Sequence, residues 1–326
     1  MNSGLPKIVV LDDWEHAMRD LVDWEPIRRG AQVSIHSSRL RGPALDDALA
    51  GANVLVLLRE RTPVDADLIR SLPGLRRIVY TGARNRTLDI DAARAAGIDV
   101  VNTRGGPAKA GTCEITWALI LAAKHRLMDI ALRPDQTQWR HAETWLAPTL
   151  DGKRLGLIGL GEIGQRVAAV GQAFGMEVVT WSPNMTDERA AAHGATHLRL
   201  EELLKTSNIV SLHLVPSPPT RHLLNAERLA LMRPDSLLVN TSRAELIDTA
   251  ALVHALESGR VGYAALDVFD EEPLAADHPL IRLSNVLLTP HHGFVSKEVM
   301  ETFAKDVEQH LIDYLDTQPT QPDPPG

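Results

Sequence analysis

The apolar residues of this chain fall into short runs of strand length, and segments with helical spacing lie between these runs. Strands are predicted at residues 7–11, 32–36, 54–58, 75–80, 98–101, 153–158, 177–181, 208–215, 236–240, 262–268 and 286–289. Helices are predicted at residues 15–29, 63–72, 89–96, 165–170, 186–193, 225–232 and 248–258. Because strands that alternate with helices form parallel sheets covered on both faces, the pattern predicts an α/β fold in two halves of similar architecture.

A further helix is predicted at residues 112–127, between the two halves, with Thr112 as its N-cap. It is followed by a long connection, residues 133–150, that contains Trp139 and Trp145. Two tryptophans in such a connection are typical either of a subunit interface or of a loop packed on its own chain. We expect a homodimer, and packing on the same chain stays open as the alternative.

The most informative motif is the Gly-Leu-Gly-Glu-Ile-Gly sequence at residues 159–164, between the predicted strand 153–158 and the predicted helix 165–170. In a strand–turn–helix context, the first glycine permits a tight turn and the second lets backbone N–H groups approach a pyrophosphate. The third glycine lets the helix pack close to the strand, and the helix N-terminus attracts the phosphates. The predicted cofactor residues of this motif are Gly159, Gly161, Glu162, Ile163 and Gly164.

The choice between NAD and NADP depends on the residues that follow the next strand. About 20 residues after the glycines, an acidic residue normally binds the ribose hydroxyls of NAD. Here the strand is followed by Ser182, Pro183 and Asn184, and Asp187 falls inside the next predicted helix. No acid is present to repel the 2′-phosphate of NADP, and no arginine directly follows the strand to bind it. Both cofactors therefore stay open, and the missing acid favours NADP slightly.

Composition excludes several other classes of protein. The chain has 326 residues and a net charge of −8, with 42 acidic and 34 basic residues, which argues against a nucleic-acid-binding surface. Cys113 is the only cysteine, so an internal disulfide is impossible, as is usual in a reducing cytoplasm. The N-terminal residues lack a secretory apolar region, and the apolar stretch at 115–123 is too short to cross a bilayer. We therefore expect a cytoplasmic protein with no membrane partner.

Three side chains that follow predicted strands could form a catalytic set: Arg243, Glu272 and His291. Reduction of a carbonyl needs a proton for the oxygen, and histidine is the usual donor near neutral pH. A carboxylate beside the histidine would orient the imidazole and favour its charged form. A guanidinium can bind a substrate carboxylate through two parallel hydrogen bonds. Each residue alone could equally be structural, and only their joint placement at strand ends favours function.

These motifs resemble those of the D-isomer-specific 2-hydroxyacid dehydrogenase family, from about residue 7 to residue 313. The resemblance is carried by residues 155–164, 239–243, 264–269 with Glu272 and Pro273, and 285–291. It implies two doubly wound parallel-sheet domains, a Rossmann dinucleotide-binding domain and a flavodoxin-like substrate domain, with a cleft between them. The expected substrate domain is discontinuous, residues 1–101 plus 291–326, and residues 102–290 form the expected dinucleotide-binding domain.

The resemblance also implies residue roles and a reaction. Arg243 would anchor the substrate, His291 would act as acid and base, and Glu272 would be its partner. The family pattern implies further cofactor contacts at Ser182, Val215, Pro216, Thr241, Ser242, Asp267, His291 and Gly293. Backbone N–H groups around Gly82, Ala83 and Arg84 would meet the substrate carboxylate, together with Arg243. The implied reaction is hydride transfer between NAD(P)H and a 2-keto or 2-hydroxy acid of the D series.

Departures from the family pattern keep some questions open. Ala244 stands where glycine is usual, and His292 follows the catalytic histidine, so the assignment between the two imidazoles stays open. Arginines at positions 59, 61, 84 and 86 indicate a substrate larger or more acidic than lactate. The alternatives are a non-catalytic dinucleotide sensor that binds a protein partner and a related dehydrogenase acting on formate or phosphite. A metal site is not expected, since adjacent histidines seldom bind one ion.

Overall fold

The computed structural model describes residues 4–132 and 145–317, and the chain divides into two compact units. Unit 1 comprises Met1–Pro107 and Ser296–Gly326, and unit 2 comprises Ala108–Val295. Both boundaries lie five or six residues beyond the expected ones at 101/102 and 290/291. Arg104 is bonded to Asp306, which holds the residues after 101 in unit 1, whereas the N–H groups of His292 and Gly293 donate to Asp267 in unit 2.

Unit 1 is built on a five-stranded parallel sheet with the strand order β2-β1-β3-β4-β5, the flavodoxin-like order. Its strands are β1 (Lys7–Leu11), β2 (Gln32–Ile35), β3 (Ala52–Leu57), β4 (Arg77–Tyr80) and β5 (Asp99–Asn102). Its helices are α1 (Ala17–Leu21), α2 (Trp24–Gly30), α3 (Pro43–Leu49), α4 (Ala66–Ser71), α5 (Ile90–Ala95) and, from the end of the chain, α13 (Lys297–Asp316). The apolar strand residues are buried, as expected for a sheet covered on both faces.

The predicted helix at residues 15–29 is interrupted in the structure. It forms the two short helices α1 and α2, because the chain turns to an extended conformation at Val22 and Asp23. The Asp23 carboxylate accepts a hydrogen bond from the N–H of Glu25 and caps the second helix. Both helices contact the long C-terminal helix α13.

Unit 2 contains a seven-stranded parallel sheet with the strand order β12-β11-β10-β9-β6-β7-β8. The strands are β6 (Arg154–Ile158), β7 (Glu177–Trp181), β8 (Thr196–His197), β9 (Ile209–Leu212), β10 (Leu237–Asn240), β11 (Tyr263–Leu266) and β12 (Val286–Leu288). The helices are α6 (Ala108–His125), α7 (Leu127–Ala131), α8 (Glu162–Ala173), α9 (Asp187–Ala191), α10 (Leu200–Thr206), α11 (Ala226–Leu229) and α12 (Thr249–Glu257). The strand order reverses between β6 and β9, which is where doubly wound sheets bind dinucleotides.

Helices cover both faces of the unit 2 sheet. Leu155 and Leu157 of β6 pack into a core with Trp117 and Ile120 of α6, whereas Ile158 packs into the core on the opposite face. The predicted cap Thr112 is wrong, because α6 begins at Ala108 and the Thr112 hydroxyl donates back to the Ala108 carbonyl. No helix in the described part of the chain combines the length and apolar composition needed to cross a bilayer.

Candidate active site

The glycine turn after β6 has the geometry that its sequence predicts. Gly159 has a φ of +104°, a conformation that favours glycine, and a Cβ there would lie 2.7 Å from the carbonyl oxygen of His213. A Cβ on Gly164 would lie 2.3 Å from the carbonyl oxygen of Gly159, so the third glycine is what lets α8 pack against the turn. A Cβ on Gly161 would meet no atom within 4 Å, so the protein itself does not require this glycine.

The residues of this turn fit a dinucleotide. Gly161 is the N-cap of α8 and Glu162 is its first residue, so the first N–H groups of a twelve-residue helix point towards the turn. Open space at Gly161 is what a close approach of a pyrophosphate to the backbone requires. Glu162 is a carboxylate beside this position, and its charge is offset by a contact with the Lys109 ammonium of α6.

The three residues directly after β7 include no acid that could bind the ribose hydroxyls. Ser182, Pro183 and Asn184 follow the strand, and the nearby Asp187 carboxylate is bonded to His197 Nδ1 at 2.9 Å. The Arg189 guanidinium donates to the Asn184 carbonyl, which keeps a cation beside this turn. No sequence pattern indicated a role for Arg189, because it lies inside the short helix α9 and reaches back over one turn.

The predicted cofactor residues after β9 and β10 form one connected group. Ser242 Oγ donates to the Leu214 carbonyl, and Ser242 N–H donates to Asn240 Oδ1 at 3.0 Å, so the turns after the two strands are held together. The hydroxyls of Thr241 and Thr116 lie 2.8 Å apart, so the Thr241 side chain contacts α6. Val215 is exposed beside Pro216. Cofactor contacts at Val215, Pro216, Thr241 and Ser242 stay predictions.

His213 directly follows β9, beneath the glycine turn, and its role was not predicted. Its imidazole Nε2 lies 2.9 Å from the Ser211 hydroxyl. Burial lowers the pKa of His213 to about 4, so the imidazole is neutral at physiological pH. The sequence placed His213 at a strand end but held no signal that it packs under Gly159 and Gly164.

His291 and Glu272 meet through one hydrogen bond. His291 Nδ1 lies 2.8 Å from Glu272 Oε2, while Glu272 Oε1 accepts from the N–H of Phe269 at 3.0 Å. Both side chains are partly buried at 27% exposure, and the Phe294 ring packs edge-on against the imidazole with centroids 5.7 Å apart. The pair fixes the orientation of the imidazole and points Nε2 away from the carboxylate.

Electrostatics favour an ionised Glu272. Burial is the largest single effect and raises the pKa of this carboxyl. Its effect is outweighed by the hydrogen bond with His291, by the hydrogen bond from the Phe269 N–H, and by the charges of His291 and Arg243. The pKa of Glu272 therefore lies below its usual value. An ionised carboxylate on Nδ1 stabilises an imidazolium. His292, the rival imidazole, is exposed, and its backbone N–H donates to Asp267 while its carbonyl accepts from the Val295 N–H.

Arg243 follows β10 and belongs to the same unit. Its backbone carbonyl accepts from Asn240 Nδ2 at 2.9 Å, and Nη1 donates to the Ser242 carbonyl at 2.7 Å, so both ends of the residue are fixed. Its charge acts on Glu272 and helps to lower the pKa of that carboxyl. The structure therefore brings the guanidinium into the electrostatic environment of the His291–Glu272 pair.

Asp267, at the end of β11, holds the loop that carries His291. The buried carboxylate accepts hydrogen bonds from Thr289 Oγ1 at 2.6 Å, His292 N–H at 2.7 Å and Gly293 N–H at 2.8 Å. Burial raises the pKa of Asp267, against the effect of these bonds. The Gly293 N–H is consequently engaged within the protein. Contacts of Asp267 and Gly293 with a cofactor stay predictions.

The predicted substrate loop of unit 1 follows β4. The Gly82 N–H already donates to Thr103 Oγ1 at 2.8 Å. Of the three predicted substrate residues, Ala83 and Arg84 are exposed, and their N–H groups stay the candidates for binding the substrate carboxylate. Arg59 covers Gly82, since a Cβ there would lie 1.8 Å from Arg59 Nη1. Arg61 donates to Glu15 and to the Asp12 carbonyl, so its charge is matched within unit 1.

No three His, Cys, Asp or Glu side chains in the described ranges are grouped so as to hold a metal ion. The predicted interface residue Trp139 and residues 133–144 of its loop lie outside the part of the chain that the structure describes.

Comparison with known proteins gives consistent matches. The sequence pattern of "D-isomer specific 2-hydroxyacid dehydrogenase, NAD binding domain" matches residues 117–293. The glyoxylate reductase of Aeropyrum pernix is 40% identical over 262 residues, which cover 78% of this chain and 77% of that protein. The glyoxylate reductase of Thermococcus litoralis is 36% identical over 255 residues, 76% of each. A crystal structure of a phosphoglycerate oxidoreductase from Vibrio cholerae superposes with a TM-score of 0.87 at 31% identity, covering 97% of this chain and 100% of that one.

Proposed function

Because this chain belongs to the D-isomer specific 2-hydroxyacid dehydrogenase family, we propose that Arg243, Glu272 and His291 carry its oxidoreductase activity on 2-keto and 2-hydroxy acids. The observation that carries the proposal is the 2.8 Å hydrogen bond between His291 Nδ1 and Glu272, close enough to Arg243 for its charge to act on the carboxyl. A non-catalytic sensor would not need this arrangement. The relatives named above are reductases and oxidoreductases, so membership favours the enzyme over the sensor and over a formate or phosphite dehydrogenase.

The protein's part in the reaction is to hold and move one proton and to bind one anion. The nicotinamide supplies the hydride when it is bound. With Nδ1 fixed by Glu272, His291 Nε2 holds the proton that the carbonyl oxygen takes up as it becomes a hydroxyl. The ionised Glu272 stabilises the charged imidazole before transfer. Arg243 binds the substrate carboxylate and polarises the carbonyl. In the oxidative direction, His291 takes the proton back.

The test is cofactor oxidation with a panel of 2-keto acids, comparing the wild type with His291→Asn and His292→Asn. We expect His291→Asn to lower kcat by roughly two to four orders of magnitude, the usual contribution of a general acid. His292→Asn is the matched control, because its imidazole is exposed and its bonded backbone N–H is retained. Wild-type turnover in His291→Asn, or an equal loss in both variants, would overturn the assignment.

We propose that the enzyme uses NADP in preference to NAD. The support is the turn after β7, where Ser182 stands in place of an acid, Asp187 is occupied by His197, and the Arg189 guanidinium lies beside Asn184. Ser182→Asp places a carboxylate where it would repel a 2′-phosphate and accept from ribose hydroxyls. We expect kcat/KM for NADPH to fall about tenfold or more relative to NADH in this variant, the scale of one charged hydrogen bond. A wild type that already prefers NADH would contradict the proposal.

We propose that the substrate carries a second anionic group. Arg59 lies over Gly82, Arg84 is exposed in the same loop, and both follow strands at the carboxyl edge of the unit 1 sheet. These cations suit a dicarboxylate or a phosphorylated 2-keto acid better than a short uncharged one. The panel therefore includes glyoxylate, pyruvate, dicarboxylates and a phosphorylated 2-keto acid. Best activity on pyruvate or glyoxylate, with no gain for the dianions, would count against this choice.

We also propose a homodimer in a reducing compartment such as the cytoplasm. The support for the dimer is a group of exposed apolar side chains on and after α7, Leu127, Met128, Leu132 and Leu146, with Leu146 exposed at 86%. The support for the compartment is that Cys113 is buried and free, and that the chain has no second cysteine.

A further inference from the structure

Unit 2 contains a cavity at the edge of the sheet opposite the glycine turn. Its volume is 320 Å³, at the lower end of the range for small-molecule sites. The cavity is lined by Lys153, Asn208, Ser236 and Gly262, each of which directly precedes a strand: β6, β9, β10 and β11 respectively. These four strands are neighbours in the sheet, so the cavity lies at their amino ends. The glycine turn, Arg243 and His291 all follow the carboxyl ends.

The lining is strongly basic. Lys124, Arg126, Lys153 and Arg233 contribute to it, and the only acid among the lining residues is Asp235. Asp235 is engaged by Arg233 through two hydrogen bonds of 2.9 and 3.0 Å. Arg126 stacks on the Trp145 ring, with the guanidinium carbon 4.7 Å from the ring centroid. Two of the four cations are therefore already matched to a neighbour inside the protein.

The two lysines differ from the arginines. Within the part of the chain that the structure describes, neither the Lys124 nor the Lys153 ammonium has a hydrogen bond or an ion pair. Burial lowers the pKa of Lys124, and the charge of Lys153 lowers it further against the opposite effect of Asp235. Lys124 and Lys153 line the same cavity, so two like charges share one partly desolvated space. Lys124 lies in the last turn of α6, where the helix dipole favours a cation. Lys153 lies outside the helix, so the dipole does not account for a cation at that position.

Neutral groups in the cavity also favour an anion. Asn208 Oδ1 accepts a hydrogen bond from the Arg154 N–H at 3.0 Å. The side-chain NH2 group, a donor, is therefore the part of this amide that can interact within the cavity. The Trp145 ring forms part of the wall and is fixed by its indole N–H, which donates to the Lys124 carbonyl at 3.0 Å. The wall therefore combines charged donors, an amide donor and an aromatic surface.

From these contacts we propose that the cavity between α6 and the amino ends of β6, β9, β10 and β11 binds a small multivalent anion, with Lys124 and Lys153 as its principal ligands. A phosphate-type or polycarboxylate anion would neutralise both ammonium groups at once, which no side chain of the described residues does. The site is separate from the dinucleotide turn by the length of a strand, about 15 Å. It would be a third anion site, distinct from those for the cofactor pyrophosphate and the substrate carboxylate.

The test is calorimetric titration of the full-length protein with inorganic pyrophosphate, in the presence of saturating NADPH so that the phosphate-binding turn is occupied. We expect one pyrophosphate per chain, with an affinity that decreases as the salt concentration rises. Lys124→Met and Lys153→Met are each expected to weaken binding by roughly tenfold or more, the scale of one charged hydrogen bond. Lys205→Met is the matched control, because this exposed lysine of α10 is not among the residues that line the cavity.

Arg126→Met, at an exposed position of the wall, provides a second variant if burial makes Lys124→Met unstable, and it should weaken pyrophosphate about severalfold. Three results would overturn the proposal: no heat with up to millimolar pyrophosphate, binding that saturating NADPH abolishes, or binding that the lysine variants leave unchanged. None of these results would bear on the proposed reductase function, which the His291→Asn assay tests separately.

Discussion

At the scale of single residues, the environment of each imidazole decides whether it can act as the acid. His291 has one charged partner on Nδ1, whereas His213, three strands away in the sheet, is kept neutral by burial beside the Ser211 hydroxyl. His292 differs from His291 by one position and yet is exposed, since the left-handed φ of +51° at His291 turns the chain between them. The proposed acid is thus selected by the local backbone and by Glu272.

The effect of Glu272 on stability and on rate can be measured together. Because the pKa of Glu272 is lowered in the folded state, its ionised form stabilises the protein above the ordinary pKa of about 4.3, and that contribution is lost as the pH falls through the lower, folded value. We expect Glu272→Gln to lower the free energy of unfolding by about 1–2 kcal/mol at pH 7, with a smaller difference near pH 3. We also expect kcat to fall by about one to two orders of magnitude.

Denaturant unfolding at both pH values and steady-state kinetics provide the measurement, with Glu257→Gln at the exposed end of α12 as the control. A stability difference that grows on acidification would have the wrong sign for this pair and would contradict the assignment.

At the scale of elements, the strand–turn–helix unit of β6 and α8 separates two roles of glycine. Gly164 is needed for packing, because a Cβ there would clash with the Gly159 carbonyl. Gly161 faces open space, so a Cβ there would not clash with the protein. The same motif thus contains a packing residue and a ligand-approach residue.

We expect Gly164→Ala to lower the free energy of unfolding by about 1–3 kcal/mol, the cost of overpacking a closely packed site, and to weaken cofactor binding more than tenfold. Gly161→Ala should leave stability within about 0.5 kcal/mol of the wild type while it weakens cofactor binding, since its Cβ would meet only the ligand. Thermal unfolding and fluorescence titration with NADPH measure the two effects. If both variants lost stability equally, the division of roles between the two glycines would be wrong.

At the scale of the whole molecule, the exposed apolar side chains on and after α7 are the feature that a monomer leaves unexplained. Leu132 and Leu146 are exposed at 72% and 86%, whereas Phe174 of the same unit is exposed at 41%. Single exposed apolar residues are ordinary, but a group of them on one segment is typical of an interface.

Light scattering after size exclusion should therefore give a mass near twice the 35.7 kDa of one chain at micromolar concentration. The double variant Leu132→Glu, Leu146→Glu should shift this mass towards the monomer, because two carboxylates would be desolvated in the interface. Leu21→Glu, at an exposed position of unit 1, is the control. A wild-type monomer would remove the dimer proposal and favour packing of the loop on its own chain.

The sequence by itself determined the fold class, the family and the residues of the candidate site, because these depend on local patterns: apolar runs of strand length, the spacing of three glycines, and polar residues directly after strands. Tertiary structure decided what depends on contacts between distant segments. It split the helix at residues 15–29, moved the start of α6 to Ala108, and paired His291 rather than His292 with Glu272. It also bound Arg61 to Glu15 and placed two lysines in the lining of one cavity. Burial and partner geometry are properties of the folded chain, so no local pattern could have fixed them.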